Sequence, residues 1–211
     1  MKLQITRMKK LVLIACIALF GCAEIPKEQP KPEPTFGIVI HGGAGTILRK
    51  NMTPEKEEEY RAVLAEAIQV GHRILKAGGS SQEAVEKTIH VMEDSPLFNA
   101  GKGAVLNAEG SIELDASFMR GDNLDAGAIS GVKTIKHPIS AAIQVMEASP
   151  HVMLSGAGAD TFAAAQGLEI VAPEYFFTER RINALKRVQE AAAAKKTSWT
   201  PEERNFLEHQ R

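Results

Sequence analysis

Cysteine is nearly absent from this 211-residue chain, and both of its cysteines lie within the first 22 residues. The remainder therefore cannot form a disulfide, a thiolate metal site or a cysteine nucleophile. Aromatic residues make up only 5% of the sequence while alanine and glycine abound, so close backbone packing should replace large aromatic anchors. An excess of one charge is also lacking, because 25 basic and 26 acidic residues nearly cancel. With no basic run interleaved with aromatics, nothing points to a nucleic acid partner.

Long hydrophobic runs are missing as well. The run from Leu11 to Phe20 is too short to span a bilayer as a helix, and basic residues precede it as in a signal peptide. It ends in Leu19-Phe20-Gly21-Cys22, which resembles the cleavage box of bacterial lipoproteins, where the cysteine is lipidated and becomes the new N-terminus. We therefore expect residues 1–21 to be a lipoprotein signal peptide and Cys22 to carry the lipid. An ordinary secretory leader is the alternative.

A proline-rich tether is predicted for residues 22–35. Four prolines among lysine, glutamate and glutamine favour an extended spacer that lifts the following domain off a surface. Together with a lipid on Cys22, this tether implies a bacterial cell-envelope protein bound to a membrane. If the host has two membranes, Ala23 indicates sorting to the outer membrane, facing the periplasm.

The domain predicted for residues 36–194 opens with a glycine-rich turn. Phe36 to Ile40 reads as a buried strand, and His41-Gly42-Gly43-Ala44-Gly45 follows it at once. Such a turn exposes successive amides that can cradle an anion or stabilise developing negative charge. His41 is a candidate acid or base, although a histidine held in the turn by hydrogen bonds is the plainer interpretation.

A second glycine turn lies in the middle of the chain, in the segment Pro96-Leu97-Phe98-Asn99-Ala100-Gly101-Lys102-Gly103. Its two glycines allow the chain to double back with its carbonyl groups facing inward. This turn is suited to hold an ion or to pin a neighbouring strand, and an ordinary structural turn is the alternative.

Helices and strands follow each other along the domain, which predicts an α+β fold. Helix N-caps are predicted at Thr53 and Ser80, and a third helix is predicted to open at Pro138. The remaining predicted elements are strands over Ile112–Met119, Leu124–Val132 and His151–Leu154, helices over Thr161–Gln166 and Pro173–Ala194, and a polar linker over 195–211.

Two short patterns, one on a predicted strand and one between two predicted strands, invite functional interpretations. Glu113 and Asp115 share one strand face, as an acid pair for catalysis would, but a solvated, salt-bridged face is the alternative. Arg120-Gly121-Asp122 matches an adhesion triplet, but its position between two strands predicts a tight turn.

Five segments, taken in order, resemble the plant-type asparaginase and isoaspartyl peptidase family of threonine N-terminal-nucleophile hydrolases. The segments are Phe36 to Gly45, Pro96 to Gly103, Glu113 to Ala116, Ala126 to Ala128, and Met146 to Met153. The resemblance implies an α-β-β-α four-layer sandwich, of which this chain would hold only the α-subunit half.

The resemblance also implies how the reaction would be divided between two chains. Precursors of this family cut themselves before a threonine, which becomes the nucleophile of a catalytic β chain. No such threonine stands here, so the nucleophile would lie beyond Arg211 and the chain alone would be inactive. The implied function is isoaspartyl peptidase or L-asparaginase activity on β-aspartyl peptides or asparagine, in a dimer of αβ units. The alternatives are a truncated non-catalytic surface lipoprotein and a glycosylasparaginase-like or taspase-like hydrolase.

Site residues are implied in the same way. The resemblance places a structural sodium ion on main-chain carbonyls and Asn99 close to the nucleophile in a supporting role, and it implies no organic cofactor. The turn at His41, Gly42, Gly43 and Gly45 would border the substrate and the oxyanion. The carbonyls that would hold sodium belong to Met92, Glu93, Ser95, Phe98, Ala100 and Lys102.

Overall fold

The chain folds into five α-helices and one three-stranded sheet within residues 36–43 and 52–197, the part that the computed structural model describes. The helices are α1 (Pro54–Lys76), α2 (Ser81–Glu93), α3 (Pro138–Ala148), α4 (Gly156–Ala165) and α5 (Glu179–Thr197). The strands are β1 (Leu114–Met119), β2 (Ala126–Val132) and β3 (Met153–Ser155). Two short 3₁₀ helices cover Gly101–Gly103 and Pro173–Phe176. This mixture confirms the α+β class.

The first two helices begin at the caps that the sequence predicts. The Thr53 hydroxyl accepts a hydrogen bond from the Lys56 amide at 3.2 Å, and the Ser80 hydroxyl accepts one from the Glu83 amide at 3.1 Å. Each cap satisfies an amide that the first helical turn leaves unpaired. The two helices then pack together at Gly71, where a β-carbon would clash with Thr88 of α2.

The sheet has the order β1-β2-β3, with β1 antiparallel and β3 parallel to β2. On β1, Leu114 is buried and Ala116 and Phe118 are half-buried, while the intervening residues are exposed. The predicted period of two is therefore confirmed. The Arg120 guanidinium pairs with the Asp122 carboxylate at 2.6 Å within the connection to β2, so the adhesion-like triplet is a turn, as predicted.

Asp115, the member of the acidic pair that lies on β1, holds a bulge in the strand. Register shifts between Leu114 and Ala116, and the Asp115 carboxylate accepts hydrogen bonds from the Ser130 hydroxyl at 2.7 Å and the Gly131 amide at 2.9 Å. Glu113 pairs instead with the Lys133 ammonium at 3.3 Å. Both carboxylates thus have structural partners at the exposed face, and the catalytic-pair reading does not hold.

The core forms where α3 and α4 pack on the sheet. Helix α3 is buried along most of its length, and it crosses β2 at Gly127, where a β-carbon would clash with the Ala142 carbonyl oxygen. The fully buried side chains of this core include Ile129, Val132, Ile135, Val145 and Phe176.

The prediction of a buried strand at Phe36 to Ile40 was wrong for the described chain. The segment forms no strand and pairs with none of the three strands, and the side chain of Val39 is 93% exposed. Ile38 and Ile40 are half-buried, so one side of the segment packs and the other faces solvent. An extended segment becomes a strand only where a neighbour completes its ladder of hydrogen bonds, and apolar composition cannot supply that neighbour.

Helix boundaries differ from the prediction in the last third. The predicted helix from Pro173 to Ala194 is a 3₁₀ turn followed by a break at Phe177 and Thr178, after which α5 continues to Thr197. The preceding helix α4 begins at Gly156, five residues earlier than predicted. Small and polar residues mark a helix end weakly, which is why these boundaries shift.

No helix in the described ranges is both long and apolar enough to cross a bilayer. The predicted signal peptide, the lipidation site at Cys22, the tether and Gly45 all lie outside the described residues.

Candidate functional site

The opening turn and the central loop, more than 50 positions apart in the sequence, meet at one pocket of about 380 Å³. A β-carbon at Gly42 would lie 3.1 Å from the Leu64 side chain and 3.5 Å from the Phe98 ring, so the turn packs closely on α1 and on the loop. We call this the glycine-turn pocket; its lining residues are Gly42, Gly43, Met52, Glu57, Tyr60, Arg61, Leu64 and Phe98. Within the described chain this lining includes no serine, threonine or cysteine, so it offers no nucleophile of its own.

His41 stabilises the opening turn. Its side chain is exposed, and its Nδ1 atom accepts a hydrogen bond from the Gly43 amide at 3.3 Å. This is the structural role that the sequence favoured over acid or base catalysis.

Asn99 follows Phe98 directly and lies at the exposed edge of the loop. Its Oδ1 atom accepts a hydrogen bond from the Val105 amide at 2.8 Å, which ties the two ends of the glycine turn together. The side-chain nitrogen makes no hydrogen bond within the described ranges, so it can donate to a ligand or to an incoming chain segment.

Sequence reasoning missed the residues that hold this loop from outside. The Tyr60 hydroxyl of α1 donates to the Leu97 carbonyl at 2.8 Å, and its ring meets the Phe98 ring edge-on at 5.7 Å. Arg180 and Arg181 of α5 bind further carbonyls of the same loop. Contacts between residues 37 to 84 positions apart leave no local pattern, although two arginines in a first helical turn are an unusual placement that could have drawn attention.

The family model described as asparaginase matches residues 34–210. The chain belongs to the asparaginase family. It is 46% identical over 148 residues to an isoaspartyl peptidase of Salmonella typhimurium, covering 70% of this chain and 47% of that protein. It is 44% identical over 156 residues to an isoaspartyl peptidase of Escherichia coli (74% and 49% covered), and 49% identical over 138 residues to a plant-type L-asparaginase of Pyrococcus furiosus (65% and 42%). The asparaginase-family assignment, and with it an amide-hydrolase family, is confirmed, and the chain spans about half the length of these relatives.

The loop expected to hold sodium brings two carbonyl oxygens close to its glycines. Gly101 has a positive φ of 46°, and a β-carbon there would clash with the Glu93 carbonyl oxygen. A β-carbon at Gly103 would clash in the same way with the Phe98 carbonyl oxygen. The Ala100 carbonyl accepts one hydrogen bond, from the Gly103 amide at 3.0 Å, which leaves a lone pair free. The lone pair that the Ala100 carbonyl keeps fits a hard monovalent cation, which prefers oxygen ligands.

A buried cluster beneath the loop joins α2 to the start of α3. The Glu93 carboxylate is bonded to His137 Nδ1 at 3.1 Å and accepts a hydrogen bond from the Ile139 amide at 3.0 Å, while His90 Nε2 lies 2.8 Å from the Ser140 hydroxyl. Burial raises the pKa of Glu93, and the two hydrogen bonds oppose that rise. Burial, followed by the nearby charge of His137, lowers the pKa of His90 to about 4.

This cluster has the composition of a metal site but not the orientation of one. Ligand atoms of His90, Glu93 and His137 lie within 4.8 Å of one another. However, the two imidazole rings are stacked, with centroids 3.9 Å apart and planes 17° from parallel. The nitrogen lone pairs lie in the ring planes, so stacked rings direct them side by side rather than toward one ion. The cluster is a hydrogen-bonded brace between α2 and α3.

Proposed function

We propose that this chain is the α portion of an isoaspartyl peptidase or L-asparaginase, which hydrolyses β-aspartyl peptide bonds or the side-chain amide of asparagine. The observation that carries the proposal is the glycine-turn pocket, where the opening turn meets the loop of Asn99 in a chain of the asparaginase family. The names of the relatives supply the substrate class.

In this proposal the nucleophile comes from another segment, as the family resemblance implies, and the described lining of the pocket contains no serine, threonine or cysteine. A threonine at the start of a β chain would attack the amide carbon, and its own α-amine would take the proton. Ammonia or the peptide amine then leaves, and water hydrolyses the resulting ester. Gly42 and Gly43 border the pocket where negative charge would develop on the carbonyl oxygen, and the Gly42 amide, which His41 does not bind, is the donor proposed for that charge.

The complete enzyme would then be an α-β-β-α sandwich built from both chains, with αβ units associating in pairs. The described sheet has three strands and carries α3 and α4, which is consistent with one sheet and one helical layer of that architecture. No strand of the described chain pairs with Phe36 to Ile40, so this segment, which leads into the opening turn, is a candidate to pair with a strand of the β chain.

A sodium ion on the carbonyls of the Met92 to Lys102 loop belongs to the same proposal. Such an ion would order the loop and thereby Asn99. Thermal unfolding of the assembled enzyme should occur at higher temperature in sodium chloride than in a bulky organic cation chloride of equal ionic strength. Equal unfolding temperatures would reduce the loop to a plain structural turn.

Attachment to the cell envelope through a lipid on Cys22 is proposed from the leader sequence alone. Mass spectrometry of the mature protein should show a lipidated cysteine at its N-terminus. An unmodified N-terminus at another residue would refute the anchor without touching the enzymatic proposal.

The test of activity compares two purified samples. Residues 23–211 alone should release neither ammonia from asparagine nor aspartate from a β-aspartyl dipeptide. The same chain together with a β chain beginning at the nucleophile threonine should release both. Hydrolysis by residues 23–211 alone, or none by the assembled protein, would contradict the division of roles.

A further inference from the structure

Two adjacent arginines lie in the first turn of helix α5, which is an unfavourable position for a cation. Arg180 and Arg181 follow Glu179, the first residue of the helix, so both lie in the first turn. The positive end of a helix dipole disfavours cations there and favours acidic residues. Neither arginine forms an ion pair with a carboxylate in the described ranges. Their placement therefore needs compensation from other contacts.

Arg180 finds that compensation on the central loop. One of its terminal nitrogens donates to the Pro96 carbonyl at 2.8 Å and to the Leu97 carbonyl at 2.9 Å. The other donates to the Tyr60 hydroxyl at 3.2 Å, and that hydroxyl also binds Leu97. The exposed Arg180 thus joins α5, α1 and the loop at one point.

Arg181 binds the other side of the same loop. Its Nε atom donates to the Gly103 carbonyl at 2.7 Å, and its Nη2 atom approaches the Phe98 carbonyl at 3.4 Å. The side chain is half-buried, and burial together with the neighbouring Arg180 lowers its pKa. Phe98 and Gly103 are separated by only the turn itself, so one guanidinium spans both ends of it.

We propose that Arg180 and Arg181 are positioning residues for amide hydrolysis, which act as a fixed cationic clamp on the loop Pro96–Gly103 and so orient Asn99. The reasoning is that backbone carbonyls withdrawn from water need hydrogen-bond donors, and the two arginines supply donors to four carbonyls of this loop. A planar guanidinium offers several donors in a rigid fork, which a lysine ammonium lacks. The effect of the clamp on amide hydrolysis rests on the proposed function, whereas its hydrogen bonds to the loop do not.

The kinetic test uses the assembled enzyme with Arg181→Gln, Arg181→Lys and a control, Arg187→Gln. Arg187 lies on the same helix, is exposed and has no partner in the described ranges. Displacement of an orienting group by about 1 Å can slow a reaction about a hundredfold. We expect R181Q to lower kcat about ten- to a hundredfold with KM within about threefold, and R187Q to change neither. R181K should recover little of the loss, because it keeps the charge without the fork.

A second readout separates the clamp from the proposed function. Hydrogen exchange of the Val105 amide reports the bond that Asn99 makes across the turn. R181Q should speed that exchange, whereas R187Q should leave it unchanged, whether or not the enzyme hydrolyses asparagine. If the assembled wild-type protein is inactive but R181Q still speeds the exchange of the Val105 amide, the proposed function is overturned while the clamp on the loop is supported.

Several outcomes would overturn the clamp. These are unchanged Val105 exchange in R181Q, an unchanged kcat in R181Q of an active enzyme, and equal losses in R181Q and R187Q. If R181Q does not fold, R181K and Arg180→Gln are judged by the same two readouts. R180Q should give a smaller kcat loss of about three- to tenfold, since Arg180 is exposed and Tyr60 still binds Leu97. If R181K and R180Q both kept the wild-type kcat and the wild-type exchange rate of the Val105 amide, the proposal would be rejected.

Discussion

Asn99 combines a structural bond with a free donor. Its side-chain oxygen accepts from the Val105 amide at 2.8 Å across the glycine turn, while its nitrogen has no hydrogen bond in the described chain. One end of the amide is thus fixed by the fold and the other faces outward. This division allows the effects on folding and on turnover to be measured separately.

Asn99→Ala should slow the assembled enzyme more than it destabilises it. Loss of one exposed hydrogen bond should lower the free energy of unfolding by about 1 kcal/mol. The proposed function gives Asn99 a role in orienting the reacting atoms, and on that proposal its loss should lower kcat about ten- to a hundredfold. Asn107→Ala is the matched control, because Asn107 closes a different turn through Ser111. Urea unfolding measures the stability of both variants, and steady-state kinetics measures their kcat. Equal kcat values for the two variants would show that Asn99 has no special role in turnover.

His90 should make stability depend on pH below neutrality. Its folded pKa of about 4 lies below the value of 6.5 for an unperturbed histidine, because burial disfavours the charged ring. The unfolded chain therefore binds the proton first as pH falls, and stability is lost between about pH 6.5 and pH 4. The ring is partly screened by solvent, so the loss is about 1–2 kcal/mol rather than the full linkage value.

The test of this prediction compares unfolding free energies at pH 7 and pH 5. His90→Gln should shrink the difference between the two pH values, since glutamine can still bind Ser140 but does not titrate. His151→Gln, at an exposed histidine, should leave the difference as in wild type. A pH dependence that survives in H90Q would assign it to other groups.

At the scale of elements, the close approach of β2 and α3 organises the core. A β-carbon at Gly127 would lie 2.5 Å from the Met146 amide nitrogen, and its clash with the Ala142 carbonyl involves backbone that cannot rotate away. The sequence placed Gly127 in the predicted strand Leu124–Val132 and in one of the segments that carry the family resemblance, but did not show why glycine is needed there. Its requirement for glycine comes from the helix packed above it.

Gly127→Ala should therefore destabilise the fold by about 1–3 kcal/mol, the usual effect of overpacking against fixed atoms. Gly121→Ala is the control, because a β-carbon at Gly121 would meet no atom within 4 Å. Chemical unfolding should separate the two variants. A stability for G127A equal to that of G121A would mean that α3 can move off the sheet without loss.

At the scale of the whole molecule, several large apolar side chains face solvent. Val39 is 93% exposed, Val152 67% and Met153 54%, on segments separated by more than 100 residues in the chain. Exposed apolar groups and open strand edges favour association with another chain. The chain spans about half the length of its asparaginase relatives, so a β chain is the partner that the proposed function supplies.

Residues 36–197 studied alone should self-associate, and addition of the β chain should suppress the association. Val39→Lys should reduce the light scattering of the isolated chain while changing its unfolding free energy by less than about 0.5 kcal/mol, since an exposed side chain contributes little to the core. Val188→Lys, at a 65% exposed valine on α5, is the control. If the isolated chain were monodisperse, the exposed apolar surface around Val39 would not drive association.

The sequence by itself determined the features that depend on near neighbours. Thr53 and Ser80 cap helices because a hydroxyl reaches an amide three residues ahead, and β1 alternates because successive side chains of a strand point to opposite faces. The five ordered segments were also enough to predict the asparaginase family, which the comparisons confirm.

Only the tertiary structure decided what distant segments do to each other. Phe36 to Ile40 lacks a strand partner, Glu93 is buried against His137, and Arg180 and Arg181 bind a loop about 80 residues away. Composition records that these residues are apolar, acidic or basic. Whether such a group is paired, buried or exposed depends on which segment folds against it, and that follows from the packing of the whole chain.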